Sequence, residues 1–298
     1  MLISDDISIF DSLNFKCLEK LNLENNKISD IKVLSMMKLE NLTYLNLNGN
    51  KITYINVLEK VNFKKLEELG LSDNKIYNLF KKIELKELTI LDLSCNKISD
   101  IRALKRINFE NLKTLNLSLN IIEDISPLQY INFKNLQKLI LVDNKISDIN
   151  VLEKMNCNRL DTLDLSNNKI SDIRVLERVN FKLLKHLNLG ANEISDINVL
   201  EKVNFKELKE LYLYNNKISD INVLKKVNFN ELEDLNFSNN EISNIDVLIE
   251  VKFDKLKILN LNHNKIINTN FNGIDILEYF QILTSFNNNS NAGNDDSH

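Results

Sequence analysis

The chain has 298 residues, of which 43% are apolar, and its formal net charge is −4. This apolar fraction can fill a large core, and no run of about 18 apolar residues predicts a membrane span. Lys and Arg are scattered instead of clustered, so neither nucleic acid nor an anionic membrane surface is an expected partner. With one proline and five glycines there is no obvious linker before the C-terminal tail, which favours one continuous body.

The N-terminal residues and the cysteines predict the cellular compartment of the protein. Early acids, with no basic region followed by an apolar run, do not predict a secretory signal. Cys17, Cys95 and Cys157 lie far apart and are odd in number, unlike the disulfide framework of a small secreted domain. We therefore expect a reducing, cytoplasmic location, with Cys157 buried and Cys95 as the only reachable thiol.

A partial repeat over residues 6–17 leads into full repeats over residues 18–266, with the pattern L-x-x-L-x-L-x-x-N-K-I-S-D-I-x-V-L-x-x-V-N-F. All but one of the intervals between successive pattern asparagines have the same length, and the step from Asn74 to Asn96 is shorter by two positions. The two missing positions fall after the strand, in the outer half of the repeat. Such a constant period predicts a solenoid, in which each repeat buries its apolar face against its neighbours. The asparagines are Asn26, Asn50, Asn74, Asn96, Asn120, Asn144, Asn168, Asn192, Asn216, Asn240 and Asn264.

Within each repeat the L-x-L core alternates apolar and polar residues, as a short strand with one buried face should. One strand per repeat, returning at a fixed period, predicts a parallel sheet. The expected fold is a curved α/β solenoid with about eleven short strands on its concave face and short helical or turn segments on its convex face. Leucine, isoleucine and phenylalanine columns form the expected core, with Cys157 in the phenylalanine column.

Two polar columns have predicted structural roles. The repeated asparagine is expected to satisfy backbone groups where the chain leaves the strand. The aspartates of the S-D-I segment are expected to cap a short helical turn. A ladder of aspartates also fits calcium, but the lysines three residues earlier and the lack of repeated glycines favour local charge compensation. The aspartates are Asp30, Asp100, Asp148, Asp172, Asp196 and Asp220, and the lysines are Lys27, Lys97, Lys145, Lys169 and Lys217.

After Asn264 the motif decays, and residues 267–286 are interpreted as a C-terminal cap. A new apolar pattern runs from Ile274 to Phe286, and six of its residues predict one helical face that closes the stack: Ile276, Leu277, Phe280, Ile282, Leu283 and Phe286. Residues 287–298 are Asn, Ser, Gly, Asp, Ala and His, which predicts a disordered polar tail. The expected organisation is therefore a solenoid over residues 1–286 followed by this tail.

The L-x-x-L-x-L-x-x-N-x-I core, kept in register through eleven copies, resembles the leucine-rich-repeat superfamily. The segment from Asp124 to Leu128 resembles the subfamily shared by bacterial internalins and the regulatory subunit of protein phosphatase one. The resemblance covers about residues 6–266 and implies the horseshoe fold. The usual repeat here is longer by two positions than is typical of theirs, and the secretion signal and wall anchor of an internalin are lacking. We therefore carry over no contact residue from either relative.

Motifs for chemistry are sparse. The three histidines do not share a metal-binding spacing, and Cys and His do not cluster as a zinc site requires. Neither a phosphate-binding glycine loop nor a nucleophile elbow occurs. The sequence therefore predicts no catalytic, cofactor or metal site, and we do not expect an enzyme.

Two groups of exceptional residues on the predicted strand face indicate where a protein would bind. In the sixth repeat Ile140 and Val142 replace the usual polar residues, and Leu119 of the fifth repeat is expected nearby. In the eighth and ninth repeats His186, Tyr212 and Tyr214 stand out. Exposed apolar and aromatic side chains on a polar surface are typical of binding hot spots. Drift between duplicated repeats is the alternative explanation.

These features predict a protein-binding scaffold or regulatory subunit that holds a protein partner on its concave sheet. The partner's identity and the oligomeric state are not indicated. The alternative is a secreted or surface-displayed recognition protein of the internalin type.

Overall fold

The computed structural model describes residues 7, 10, 15–80, 82–267, 270–271 and 274–275. The chain divides into two compact units, residues 1–160 and residues 161–298. In the first unit six strands of three residues lie parallel in chain order: β1 Lys20–Asn22, β2 Tyr44–Asn46, β3 Glu68–Gly70, β4 Ile90–Asp92, β5 Thr114–Asn116 and β6 Lys138–Ile140. In the second unit five more do so: β7 Thr162–Asp164, β8 His186–Asn188, β9 Glu210–Tyr212, β10 Asp234–Asn236 and β11 Ile258–Asn260. The strands predicted from the repeat are therefore all present.

A short 3₁₀ helix follows most of the strands, on the opposite side of the repeat. In the first unit these helices are Lys32–Ser35, Asn56–Lys60, Arg102–Arg106, Ser126–Tyr130 and Asn150–Lys154. In the second unit they are Arg174–Glu177, Asn198–Glu201, Asn222–Lys225 and Asp246–Ile249. The predicted aspartate caps are confirmed: Asp172 Oδ1, for example, accepts the N–H of Arg174 over 2.9 Å. Each aspartate acts from one residue before the helix N-cap, which is an isoleucine such as Ile173.

The shortened repeat keeps its strand. Leu69 of β3 pairs in register with Leu91 of β4, although the repeat that joins them is the short one. On the outer side, an isolated bridge joins Tyr54 to Asn78. The deletion therefore spares the strand ladder, as its position in the sequence predicted.

The three predicted apolar columns form the core. The strand leucines from Leu45 to Leu235 and the isoleucines from Ile28 to Ile242 are almost completely buried. The phenylalanines from Phe63 to Phe229 are also buried, and Leu39, Leu85 and Cys157 fill the same column. Burying so many aliphatic and aromatic side chains, each worth about 1.5–3 kcal/mol, is the main driving force for this fold.

The repeated asparagines form the predicted network. Asn216 Nδ2 donates to the carbonyl oxygens of Leu213 and Tyr214 in its own turn, each over 3.1 Å. It also donates to Leu189 O of the preceding repeat over 3.0 Å, and its Oδ1 accepts the N–H of Ile194 over 2.9 Å. One amide thus satisfies four backbone groups and ties two repeats together. Throughout the described residues, no buried side-chain nitrogen or oxygen lacks a hydrogen-bond partner.

The residue before each repeated asparagine adopts a left-handed backbone conformation, which the sequence interpretation missed. Its φ lies between 50° and 65° in every repeat. Asn, Asp or Gly fills most of these positions, as expected because those residues tolerate positive φ best. Cys95, Leu119, Ala191 and His263 are the exceptions.

The predicted charge compensation involves different partners. Lys145 and Lys217 pair with Glu123 and Glu193 of the preceding repeat, over 3.9 and 2.9 Å, and not with the aspartates three residues later. Asp172 pairs with Arg174 instead. The prediction assumed neighbours along the chain, whereas stacking places equivalent positions of successive repeats side by side.

One expectation about the thiols was wrong. Cys17 is exposed and Cys95 is half-buried, so Cys95 is not the only reachable thiol. Cys157 is buried, as predicted, and burial raises its pKa to about 12. All three are free thiols.

The chain ends are only partly described. Of the partial repeat over residues 6–17, Ile7 is buried and Phe10 packs edge-to-face on Phe15 with ring centroids 5.8 Å apart. In the predicted cap, β12 Asn270–Phe271 pairs antiparallel with β13 Ile274–Asp275. The predicted helical face from Ile276 to Phe286 and the predicted tail at residues 287–298 lie outside the described residues. Within the described part of the chain, no helix has the length and hydropathy to cross a membrane.

Candidate protein-interaction surface

Strands β8, β9 and β10 bring one group of predicted residues together in the second unit. Parallel pairing puts His186 beside Glu210 and Glu210 beside Asp234. Because side chains two residues apart point to the same face of a strand, Tyr212 shares this face with Glu210, and Tyr214 continues it past the strand end. We call His186, Glu210, Tyr212, Tyr214 and Asp234 the tyrosine patch.

Tyr214 packs against a glycine in the neighbouring repeat. A Cβ atom on Gly190 would lie 2.3 Å from Tyr214 Cε1, so the tyrosine ring occupies the space where a side chain would be. The equivalent position is Ser166 in the preceding repeat and Tyr214 itself in the following one. The presence of glycine in this one repeat is therefore matched to the tyrosine beside it.

Tyr212 is oriented by the following strand. It is half-buried and donates its hydroxyl proton to Asp234 Oδ2 over 3.0 Å. Burial, together with Asp234, raises the pKa of the Tyr212 hydroxyl, which therefore remains protonated at neutral pH. Burial also raises the pKa of the Asp234 carboxyl, and the hydrogen bond from Tyr212 opposes that rise.

Carboxylates give the centre of this face its charge. His186 Nδ1 lies 2.8 Å from Glu210 Oε2. Asp164 accepts from the amide of Asn188 over 3.1 Å and from the Ser166 hydroxyl over 2.7 Å. Asp164 and Asp234 therefore have neutral partners, which leaves their negative charges uncompensated by those bonds.

The other predicted residues lie in the first unit and form what we call the leucine patch, Leu119, Ile140 and Val142. Ile140 on β6 pairs with Asn116 on β5, and Leu119 N donates to Val142 O over 2.8 Å. Ile140 and Val142 are half-buried, whereas Leu119 is 48% exposed. Leu119 does not belong to the strand face, because it lies in the left-handed turn after β5 with φ 54°.

The sequence interpretation missed other exposed apolar residues. Ile258 on β11, 54% exposed, lies beside Asp234 and extends the tyrosine patch. On the turn side of the first unit, Met36 and Tyr54 line a cavity of about 560 Å³, and Tyr54 packs edge-to-face on Tyr77 at 5.5 Å. The exposure of Ile258 could have been predicted from the sequence, since it is an isoleucine at a strand position that is polar in most repeats.

A second cavity, of about 570 Å³, lies beside the shortened repeat. Its lining is mostly charged, including Lys60, Lys64, Lys82 and Glu84. Among the described residues, no group of three or more His, Cys, Asp or Glu comes together to hold a metal ion. The tyrosine patch, in contrast to both cavities, lies on the open strand face, where another macromolecular surface can reach it.

Parallel strands joined through a ladder of buried asparagines define a repeat solenoid of the leucine-rich type. A family model described as leucine rich repeat matches residues 16–76 and 86–146. A second, described as Leucine Rich repeats (2 copies), matches residues 64–106, 134–178 and 182–226. The chain belongs to the leucine-rich repeat superfamily, which confirms the resemblance found in its motifs.

Solved structures place internalins among its relatives. An internalin (inlF) from Listeria monocytogenes is 29% identical, with a TM-score of 0.55, over 85% of this chain and 83% of that chain. The functional domain of InlJ from the same organism is 25% identical, with a TM-score of 0.63, over 85% of this chain and 55% of that one. An LRR protein of Leptospira interrogans is similar in fold, with a TM-score of 0.73 and 23% identity, over 96% of this chain and 80% of that one. A comparison with curated protein sequences finds no match. Superfamily membership and these relatives support a protein-interaction scaffold in general.

Proposed function

We propose that the chain holds a protein partner on the strand face of its repeats, as a non-catalytic scaffold or regulatory subunit. The tyrosine patch is the main contact and the leucine patch is a second one. The observation that carries this proposal is the packing of Tyr214 against Gly190, because a glycine at that position leaves room for an aromatic ring on the strand face.

Aromatic side chains that are held in place suit binding. Tyr212 and Tyr214 are both half-buried, so each keeps part of its ring available to a partner. The hydrogen bond to Asp234 orients Tyr212 before binding, which lowers the entropy lost on association, and Gly190 leaves the space that the Tyr214 ring fills. Tyrosines of this kind are enriched among residues that dominate binding energy.

The test is capture of partners by the tagged full chain from a lysate of the source organism, analysed by quantitative mass spectrometry. We expect Tyr212→Ser with Tyr214→Ser to lower recovery of the specific partner at least tenfold. Ile140→Ser with Val142→Ser is expected to weaken capture less. Circular dichroism melting should show the folded state retained in both variants.

The matched control is Tyr54→Ser with Tyr130→Ser, which removes two tyrosines that are 67% and 66% exposed on other faces. Capture by this control should equal that of the unaltered protein. Undiminished capture by the Tyr212 and Tyr214 variant, or loss in the control alone, would refute the proposal.

We further propose a cytoplasmic location, supported by three free thiols in repeats far apart. The second candidate function is surface-displayed recognition, which the 29% identity to an internalin favours. Fractionation of cells carrying the tagged protein separates the two. Recovery in the cytoplasmic fraction supports the first, and recovery in the medium or envelope supports the second.

A further inference from the structure

The tyrosine patch and the strand face beside it are rich in carboxylates. Glu210 and Asp234 lie on adjacent parallel strands, at directly paired positions about 4.8 Å apart. Asp164 is two strands before Glu210 and faces the same side. On strands β7 to β11, the outward-facing positions carry these three carboxylates and a single basic side chain, His186.

The lysines nearest this face do not cancel its charge. Lys209 and Lys257 lie one position before the strand face, and both bond to Glu233, over 3.1 and 2.7 Å. Lys185 is exposed at the same border position of the preceding repeat. Lys209 and Lys257 therefore share an acidic partner at the border of the strand face, while the centre remains acidic.

Carboxylates beside a tyrosine ring are a combination that suits cations. A guanidinium or ammonium group gains from a carboxylate hydrogen bond and from the face of an aromatic ring at once. Asp234 and Tyr212 together offer the carboxylate and the ring. The Tyr212 hydroxyl bonds to Asp234 Oδ2, and because the hydroxyl is neutral, this bond leaves the carboxylate charge unpaired. An apolar or acidic partner segment would instead leave these carboxylates desolvated and unmatched.

We propose that the tyrosine patch receives a segment of a partner protein rich in arginine or lysine, whose cationic groups lie against Glu210 and Asp234 beside Tyr212. This inference rests on the proposed function, because it names the chemistry of the partner that the same face holds. Ile258, exposed beside Asp234, supplies apolar contact for the aliphatic stem of a basic side chain.

The experiment selects ligands from a random dodecapeptide display library on the immobilised full chain at low ionic strength. We expect selected peptides to contain at least twice the Arg and Lys content of the starting library. Their affinity should fall about tenfold in the variant Glu210→Gln with Asp234→Asn, and also on raising the salt concentration. Both substitutions keep the hydrogen-bond acceptors, so the Tyr212 contact and the fold are retained.

The matched control removes two exposed carboxylates of the second unit away from the strand face, Glu207→Gln with Glu250→Gln. It should bind the selected peptides with unaltered affinity. Peptides that require Tyr212 and Tyr214 but show no basic enrichment, or ignore Glu210→Gln with Asp234→Asn, overturn this inference and leave the proposed function intact. Basic peptides that still bind Tyr212→Ser with Tyr214→Ser, or a selection that enriches no sequence, overturn both.

Discussion

Leu119 shows how one residue can depart from the rule that shapes its neighbours. Its φ is 54°, and the equivalent residue of every repeat also has a positive φ. Asn fills that position at Asn25, Asn167, Asn215 and Asn239. A leucine there costs about 1 kcal/mol relative to residues that tolerate the left-handed region. The protein therefore holds a 48% exposed leucine in a strained conformation, which favours a role in contact over a role in stability.

Replacing Leu119 with asparagine should raise the free energy of unfolding by about 1 kcal/mol, because it relieves this strain and exposes no buried group. Urea unfolding followed by circular dichroism measures the change. The control is Ile121→Asn, which removes a neighbouring apolar residue, 43% exposed, outside the left-handed position. Its effect should stay within about 0.5 kcal/mol. A less stable Leu119→Asn protein would contradict the strain argument.

At the level of the single element, a polar side chain before most of the 3₁₀ helices accepts a backbone N–H of the helix, and the helix Asn56–Lys60, preceded by Tyr54, is the exception. Asp172 accepts the backbone N–H of Arg174 and also bonds to its guanidinium, through Nε over 2.9 Å. These hydrogen bonds lower the pKa of the Asp172 carboxyl to about 2. In the tenth repeat Asn244 accepts the equivalent N–H of Asp246 over 2.7 Å, so a neutral amide also serves the turn.

The substitution Asp172→Asn should keep the backbone hydrogen bond and lose only the charge. Because the folded-state pKa lies below the ordinary aspartate value of about 4, the charge stabilises the protein above that pH. The contribution is lost as pH falls through about 2. We therefore expect the Tm of the variant to lie below that of the unaltered protein at pH 7 and to match it near pH 2.

The effect is small, since both side chains are largely exposed and solvent screens the pair. In the background of Arg174→Gln, the substitution Asp172→Asn should produce a smaller pH-dependent difference in Tm, because only the backbone hydrogen bond then lowers the pKa of Asp172. A difference in Tm between the variant and the unaltered protein that grows toward pH 2 would refute this interpretation of the cap.

At the scale of the whole molecule, apolar stacking and ion pairing contribute very differently. Lysine and glutamate side chains pair between successive repeats, as in Lys64 with Glu40 and Lys265 with Glu241. These pairs are solvent-exposed, and such pairs contribute about 0–1 kcal/mol each. A single strand leucine is completely buried and touches both neighbouring repeats, so its truncation costs about 2–5 kcal/mol.

We expect raising NaCl from about 0.05 M to 1 M to change Tm by less than about 3 °C. The core substitution Leu211→Ala should lower Tm by more than about 5 °C, since Leu211 is fully buried. Calorimetry measures both. A larger effect of salt than of Leu211→Ala would show that charge ladders, and not the apolar columns, hold the repeats together.

The repeat, the strands, the apolar columns and the role of the asparagines could all be predicted from the amino-acid sequence. These follow from the constant period of the pattern, because each unit can bury its apolar face only against a copy of itself. The unusual residues Tyr212 and Tyr214 were also visible, since they interrupt a polar column.

The contacts of those side chains depend on how the repeats stack and could not be predicted from the sequence. The Tyr212 hydroxyl is bonded to Asp234, Tyr214 lies over Gly190, and Lys217 pairs with Glu193 of the preceding repeat. Each contact joins residues of adjacent repeats, which are distant along the chain and which stacking brings side by side. Column identity shows which residues share a face, but the reach and direction of each side chain determine which neighbour it contacts.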